Sequence, residues 1–159
     1  MGVLSLAECV AFRTDLSARG RTVVFTNGVF DLLHPGHVRY LQQARTLGDA
    51  LVVGVNADSS VRRNKGPERP INPEGERAEV LAALGAVDAV VLFGEDTPAD
   101  IVQALQPDIL VKGADWPADQ IVGRDTVEAR GGRVVLMEVE QGHSTSAIIE
   151  RVRALPRIP

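Results

Sequence analysis

Apolar residues along this chain fall into two alternating rhythms. Five short runs, at residues 21–25, 50–55, 88–93, 109–111 and 134–139, are apolar with little alternation, most fully in Ala-Leu-Val-Val-Gly-Val at 50–55. Strands apolar on both faces belong inside a parallel sheet covered above and below. Between the runs the apolar residues recur three or four apart, the helical period. Ser5 and Glu8 have capping-box spacing, and Leu6, Cys9, Val10 and Phe12 continue a helix that Gly20 ends. A second helix starts near Pro35, carries Val38, Leu41, Ala44 and Leu47, and stops at Gly48. Asn72-Pro73 supplies an N-cap with proline at the first helical position, ahead of Val80, Leu81 and Leu84. Thr97-Pro98-Ala99-Asp100 repeats that logic before Ile101, Val102 and Leu105, and Pro107 halts the helix. Residues 117–130 read as one or two short helical pieces, and Ser144 or Thr145 caps a last helix bearing Ile148, Ile149 and Val152. Residues 57–71 show no period.

Strands alternating with helices over short loops imply βαβ units. Right-handed crossovers then make a doubly wound α/β fold with five parallel strands, in one domain over residues 1–159 whose first nineteen residues form an entry helix. Ligands of such sheets bind beyond the carboxyl ends of the strands, so the loops that follow strands share the rim that matters.

Composition narrows the partners. The 159 residues can bury roughly 70% of the surface an unfolded chain exposes, enough for one core. A net charge of -4 and only 4% aromatic residues argue against a nucleic-acid partner. Cys9 is the single cysteine, which excludes a disulfide framework and a CxxC metal site and suits a reducing, cytoplasmic compartment. No apolar run approaches the ~18 residues of a membrane span, no leader pattern opens the chain, and Leu6 stands where a myristoylation motif after Met1-Gly2 needs Ser or Thr. No membrane association is expected.

The densest polar pattern is the strand-to-helix turn at residues 25–41, Phe-Thr-Asn-Gly-Val-Phe-Asp-Leu-Leu-His-Pro-Gly-His-Val-Arg-Tyr-Leu. A helix N-terminus favours anions, and a glycine there lets a phosphate approach the backbone. One histidine at a helix start often only caps it; His34 and His37, three apart around Gly36, point to a phosphate site. A second concentration lies at residues 60–70, where Arg62, Arg63, Lys65 and Arg69 against Glu68 give a local balance of +3. That inversion within an acidic chain suggests a polyphosphate ligand, with Lys65, before Gly66, as the cation that reaches it. Ser144-Thr145 caps the last helix and offers another anion cradle, while His143 reads as a loop residue. Asp31, His34 and His37 would crowd three zinc ligands into seven residues without the supporting pattern such a site needs, so Asp31 is kept only as a candidate metal ligand. The chain has no GxxxxGK[ST], no GxGxxG after the first strand and no GxSxG, which sets aside Walker NTPases, ordinary dinucleotide dehydrogenases and serine hydrolases of the elbow type.

His34-Pro35-Gly36-His37 resembles the HxGH motif of the cytidylyltransferase-like nucleotidylyltransferase superfamily, and Gly142-His143-Ser144-Thr145-Ser146 resembles its second motif, the Ser/Thr-led turn before the last helix. From about residue 20 to 153 the chain is further similar to the adenylyltransferase domains of ADP-heptose synthesis, which act on D-glycero-D-manno-heptose 1-phosphate. The matching stretches are Val53-Gly-Val-Asn-Ala-Asp58, Arg69-Pro-Ile-Asn-Pro73, Glu76-Arg77, Glu95-Asp-Thr-Pro98 and Pro107-Asp-Ile-Leu-Val-Lys-Gly-Ala-Asp-Trp116. Cytidylyltransferases of the glycerol-phosphate type carry Arg-Thr just before the second motif. Val139-Glu140 stand there in this chain, which weakens a cytosine reading.

The resemblance implies a Rossmann-like fold and transfer of AMP from ATP to heptose 1-phosphate, giving ADP-heptose and pyrophosphate for lipopolysaccharide core assembly. Mg²⁺ would ride on the triphosphate, with Asp31 the one protein ligand entertained. His34 and His37 would donate to the α and β phosphates, with Lys65 and Arg77 as clamps. Thr26, Asn27, Gly28, Phe30 and Gly36 would line the nucleotide and reaction site. Lys112, Gly113, Asp115 and Trp116 would border nucleotide or sugar, and Ser144 and Thr145 would cradle phosphate. Family resemblance also implies a homo-oligomer. In many relatives this domain is fused to a sugar kinase, and since 159 residues do not hold one, a separate kinase is expected to supply the substrate. Two other readings compete: a CTP-dependent transferase acting on glycerol 3-phosphate or a similar small phosphate, and a nucleotide-binding regulatory module without turnover. The module would have no chemical need for both histidines and Lys65.

Overall fold

A computed structural model describes residues 2–114, 120–138 and 142–156. Its centre is one sheet of six parallel strands: β1 (Gly2–Leu4), β2 (Val23–Gly28), β3 (Ala50–Asn56), β4 (Ala89–Phe93), β5 (Ile109–Gly113) and β6 (Arg133–Met137), in the spatial order β1-β4-β3-β2-β5-β6. The helices are α1 (Leu6–Ala18), α2 (Pro35–Arg45), α3 (Asp58–Lys65), α4 (Glu74–Ala82), α5 (Ala99–Leu105), α6 (Arg124–Glu128) and α7 (Thr145–Arg153). The architecture is the expected doubly wound, Rossmann-like one, with six strands in place of five. The additional strand is β1, three residues that pair with β4 from Gly2↔Ala89 to Leu4↔Val91. Three residues are too few to show a period, and only the partner strand makes them β.

Strand periodicity explains both faces of the sheet. On one face Val23, Phe25, Val52 and Leu110 pack with Cys9, Ile101, Leu105 and Val127 from α1, α5 and α6. On the other, Val24, Leu51, Val53, Val55, Ile109 and Val111 pack with Leu41, Ala44, Ala78 and Leu81 from α2 and α4. Adjacent residues point to opposite faces, so a strand covered on both sides must be apolar throughout, and all seven residues of β3 are buried. Gly54 sits in that strand because the Phe25 ring fills the space beside it; a Cβ there would lie 2.8 Å from Phe25 Cζ.

Caps follow local chemistry with small shifts. Ser5 and Glu8 form the complete capping box ahead of α1. For α4 and α5 the capping residues are Pro73 and Pro98, each one position later than expected. α3 is the helix that periodicity missed, because its sequence DSSVRRNK buries only Ser60 and Val61. It is held instead by polar bonds: Asp58 N donates to Glu74 Oε2 at 2.6 Å, Asn56 Nδ2 to Ser60 Oγ at 3.1 Å, and Arg63 Nε to Asp96 Oδ1 at 2.7 Å. No helix among the described residues is long and apolar enough to cross a membrane.

Candidate active site

The strand order places the site. From β2 the chain winds outward through β3 and β4, then returns to add β5 and β6 on the other side of β2. A crevice must open where the winding reverses, beyond the carboxyl ends of β2 and β5. Asn27-Gly28 and Lys112-Gly113 stand at those two ends.

The turn leaving β2 is fixed before it reaches the histidines. Phe30 adopts φ 48°, a conformation that costs a bulky residue energy, and its ring is held between Gly28 and the edge of His37 at 5.2 Å between centroids. Asp31 is 2% exposed; its carboxylate accepts from Arg69 Nε at 2.6 Å, Ile71 N at 2.8 Å and Asn72 N at 3.1 Å. That clasp ties the turn after β2 to the segment after α3. Its oxygens already face three N–H donors, which argues against the expectation that Asp31 binds metal.

His34 caps α2, with Pro35 at the first helical position and the His37 backbone N–H reaching toward His34 Nδ1 at 3.4 Å. The spacing of three brings the two rings face to face, centroids 3.7 Å apart and 20° from parallel. His143 extends the file: its ring lies 6.2 Å from His34 at 19°. Gly36 permits this closeness, since a Cβ there would meet His34 Nδ1 at 3.1 Å and His143 Cβ at 3.2 Å. Burial, aided by His34 and Lys65 and opposed by the Leu32 carbonyl, pushes His37 down to about 4. Burial and His143 lower His34 as well. His37 is therefore neutral near pH 7. Its Nδ1 is buried without a partner in strict hydrogen-bond geometry, although the Leu32 carbonyl is near enough to favour a protonated ring.

Two cavities meet above the crevice. One, of about 560 Å³, is lined by Asn27, Gly28, Asn56, Val61, Lys65, Thr97, Lys112, Gly113 and Ile121. The other, of about 400 Å³, is lined by Phe30, His34, Gly36, His37, His143, Ser144 and Thr145. Asn27, Gly28, Val29, Lys65 and Gly113 line both, so the Lys65 ammonium stands at the junction. Lys112 Nζ donates to Asn27 Oδ1 across the switch point, and burial pushes its ammonium down to about 8.

Most of the expected residues thus converge, with two further corrections. Thr26 is wholly buried beneath the rim; its Oγ1 donates to the Val111 carbonyl at 3.0 Å and lies 2.8 Å from the Tyr40 hydroxyl, joining β2 to β5 and α2 rather than lining the site. Arg77, expected as a phosphate clamp, has a fully buried side chain. It donates to the carbonyls of Val29 at 2.6 Å, Asn72 at 2.9 Å and Asn56 at 2.8 Å, and to Asp58 Oδ1 at 2.7 Å. It braces three loops from behind and has no reach into the cavities. Ser144 caps α7 by accepting from Ala147 N at 3.0 Å, and Thr145 Oγ1 leans toward the Leu32 carbonyl at 3.4 Å. Asp115, Trp116 and the Val139-Glu140 pair lie outside the described residues. His143 was legible only as the residue before a cap; its place in the stack comes from α7 returning over α2.

The cytidylyltransferase-like family model matches residues 25–151, which span the turn, both cavities and most of α7. The bifunctional protein HldE of Citrifermentans bemidjiense is 62% identical over 135 residues, 85% of this chain and 28% of that protein. HldE of Ectopseudomonas mendocina is 53% identical over 152 residues, 96% of this chain and 32% of that protein. The chain thus spans about a third or less of the length of these relatives. A solved lipopolysaccharide core biosynthesis protein from Thermoplasma volcanium superposes with a TM-score of 0.63 at 34% identity, over 78% of this chain and 100% of that one. A pantoate-beta-alanine ligase from Francisella tularensis, at 14% identity and a TM-score of 0.66, covers 99% of this chain and 74% of its own length and shares the fold. With its HxGH turn set at the switch point of a parallel sheet and a family match across four-fifths of its length, the chain belongs to the cytidylyltransferase-like family.

Proposed function

We propose that the chain is an adenylyltransferase that moves AMP from ATP onto D-glycero-D-manno-heptose 1-phosphate, releasing pyrophosphate. The observation that carries this reading is the stacked His34–His37 pair, which opens with Lys65 onto one cavity at the switch point. Such a set holds N–H donors and a cation around a space that suits phosphates. The sugar is supported by the heptose-type stretches from Val53 to Trp116 and by relatives named as HldE and as a lipopolysaccharide core biosynthesis protein.

In the reaction an oxygen of the sugar phosphate bonds to the α-phosphorus of ATP as the bond to the bridging oxygen of the β phosphate breaks. Pyrophosphate carries away that electron pair. A phosphate monoester has a second pKa of about 6, so the nucleophile is mostly dianionic at pH 7 and needs no base. The chain has only to position the partners and stabilise the charge gathering on the phosphoryl oxygens. His34 and His37 act as N–H donors to the α and β phosphates. A triphosphate beside them favours the protonated rings, so nucleotide binding takes up protons. Lys65, at the junction of the cavities, meets the α phosphate, and the first turn of α7 turns its backbone N–H groups to the departing end. Mg²⁺ carried on the triphosphate would neutralise part of its charge. A sugar kinase must supply the acceptor.

Pyrophosphate release with ATP or CTP, each crossed with heptose 1-phosphate or glycerol 3-phosphate, tests the proposal. ATP with heptose 1-phosphate is the expected best pair. Preference for CTP with glycerol 3-phosphate would replace both substrates, and nucleotide binding without release in any combination would make the chain a regulatory module.

A further inference from the structure

We infer that Lys112, with Asn27, grips the phosphate of the acceptor on the side of the reacting phosphorus opposite the histidines. The inference rests on the adenylyl-transfer reading and deepens it by assigning the acceptor subsite. Lys112 projects from the end of β5 and Asn27 from the end of β2; their side chains bond to each other, Lys112 lines only the larger of the two cavities, and Asn27, at the junction, lines both. An ammonium has three N–H donors, and the Asn27 oxygen occupies one. Among the described residues no carboxylate pairs with Lys112, Asp115 lying outside them. The other charged groups on that cavity are Lys65, of like sign, and Asp96, which is engaged by Arg63 at 2.7 Å. A half-buried cation facing a neutral amide gains when a ligand brings the opposite charge. Burial lowers its affinity for a proton, down to about 8.

Stereochemistry says which anion it receives. In-line displacement puts the entering and leaving oxygens on opposite sides of phosphorus. The leaving pyrophosphate belongs among His34, His37, His143 and the start of α7, in the smaller cavity. Lys65, lining both cavities, marks the α phosphate between them. The entering phosphate then comes from the larger cavity, where Lys112 is the other cation. With its oxygen committed to Lys112, Asn27 leaves its amide nitrogen to donate to the same phosphate.

Lys112→Met and Lys112→Arg test this, read against wild type by the KM for heptose 1-phosphate and by the Kd of α,β-methylene ATP. Lys112→Met should raise the acceptor KM roughly 30-fold or more, the scale of a lost charge-assisted bond, while changing the Kd of the analogue less than about threefold. In wild type the acceptor KM should climb as pH rises past about 8 and the ammonium loses its proton. Lys112→Arg should abolish that climb, because a guanidinium stays charged. Equal losses for acceptor and analogue would put Lys112 on the nucleotide, and an unchanged acceptor KM would leave it a structural residue; either overturns the inference. Should the chain use another acceptor, inorganic phosphate titrated into protein saturated with α,β-methylene ATP replaces the sugar phosphate. Phosphate binding lost in Lys112→Met and kept in Lys112→Arg supports the grip whatever the sugar, and equal binding by wild type and Lys112→Met refutes it.

Discussion

The two polar concentrations of this chain, the turn at residues 25–41 and the basic segment at 60–70 with Arg77 behind it, are built on different principles. In the turn, an aromatic wedge and one buried carboxylate do the fastening, and the imidazoles are left facing a cavity: Phe30 wedges the bend, Asp31 clasps the neighbouring loop, and Gly36 lets the rings close up. In the basic segment most of the charge is spent internally. Arg63 pairs with Asp96, Arg69 with Asp31 and Arg77 with Asp58, at 2.7, 2.6 and 2.7 Å. Lys65 is the cation that reaches both cavities. A local surplus of positive charge thus locates a site without saying which cations serve it. Planar guanidinium groups with several donors are suited to crosslinking loops, whereas a compact ammonium on a flexible stem is suited to a moving phosphate.

The largest expected effect lies in the turn. His37→Ala should lower kcat by about 10² to 10³, the usual loss for one preorganised donor, with the Kd of α,β-methylene ATP changed less than tenfold. Equal losses in both would make His37 a ground-state binder. Arg77→Met strikes the other region and should cost about 3 to 5 kcal/mol in denaturant unfolding, since it leaves Asp58 and three carbonyls without their donor. A variant of normal stability but weakened ATP affinity would return Arg77 to the phosphates and erase the contrast. Asp31→Asn keeps the shape of the clasp and removes its charge, for about 1 to 3 kcal/mol, with the Mg²⁺ concentration for half-maximal rate unchanged. A rise in that Mg²⁺ requirement would restore Asp31 as a metal ligand.

A further effect is a pH dependence. His37 falls from 6.5 to about 4 in the folded chain, so on acidification the unfolded ring takes its proton first. The stability contributed by His37 is complete above pH 6.5 and declines as pH falls toward 4. His37→Gln should flatten that part of the stability profile, and an unaltered slope would mean that the ring is not held neutral.

Much of this was legible in the residues, for reasons that also mark where reading fails. β2, β3, β4 and β5 announced themselves because strands covered on two faces must be apolar throughout, and the HxGH turn because its residue types and spacing have few other uses. β1 and α3 were hidden, the one too short to carry a period and the other held by hydrogen bonds rather than by an apolar stripe. The site failed in the same way. Thr26, Asp31 and Arg77 are polar residues close to the rim, and only the fold reveals that each is tied to partners within the protein. His143 went the other way, a plain loop residue until α7 laid it beside His34.

The central claim is that the stacked histidines stabilise charge and take no proton from the nucleophile. The most direct test is the acidic limb of kcat/KM for heptose 1-phosphate, compared between wild type, His34→Asn and His37→Asn. Both variants should be slower, with a limb that stays near the acceptor's own phosphate ionisation, at about pH 6. A limb that moves or vanishes in either variant would contradict the claim, and would make that histidine the base.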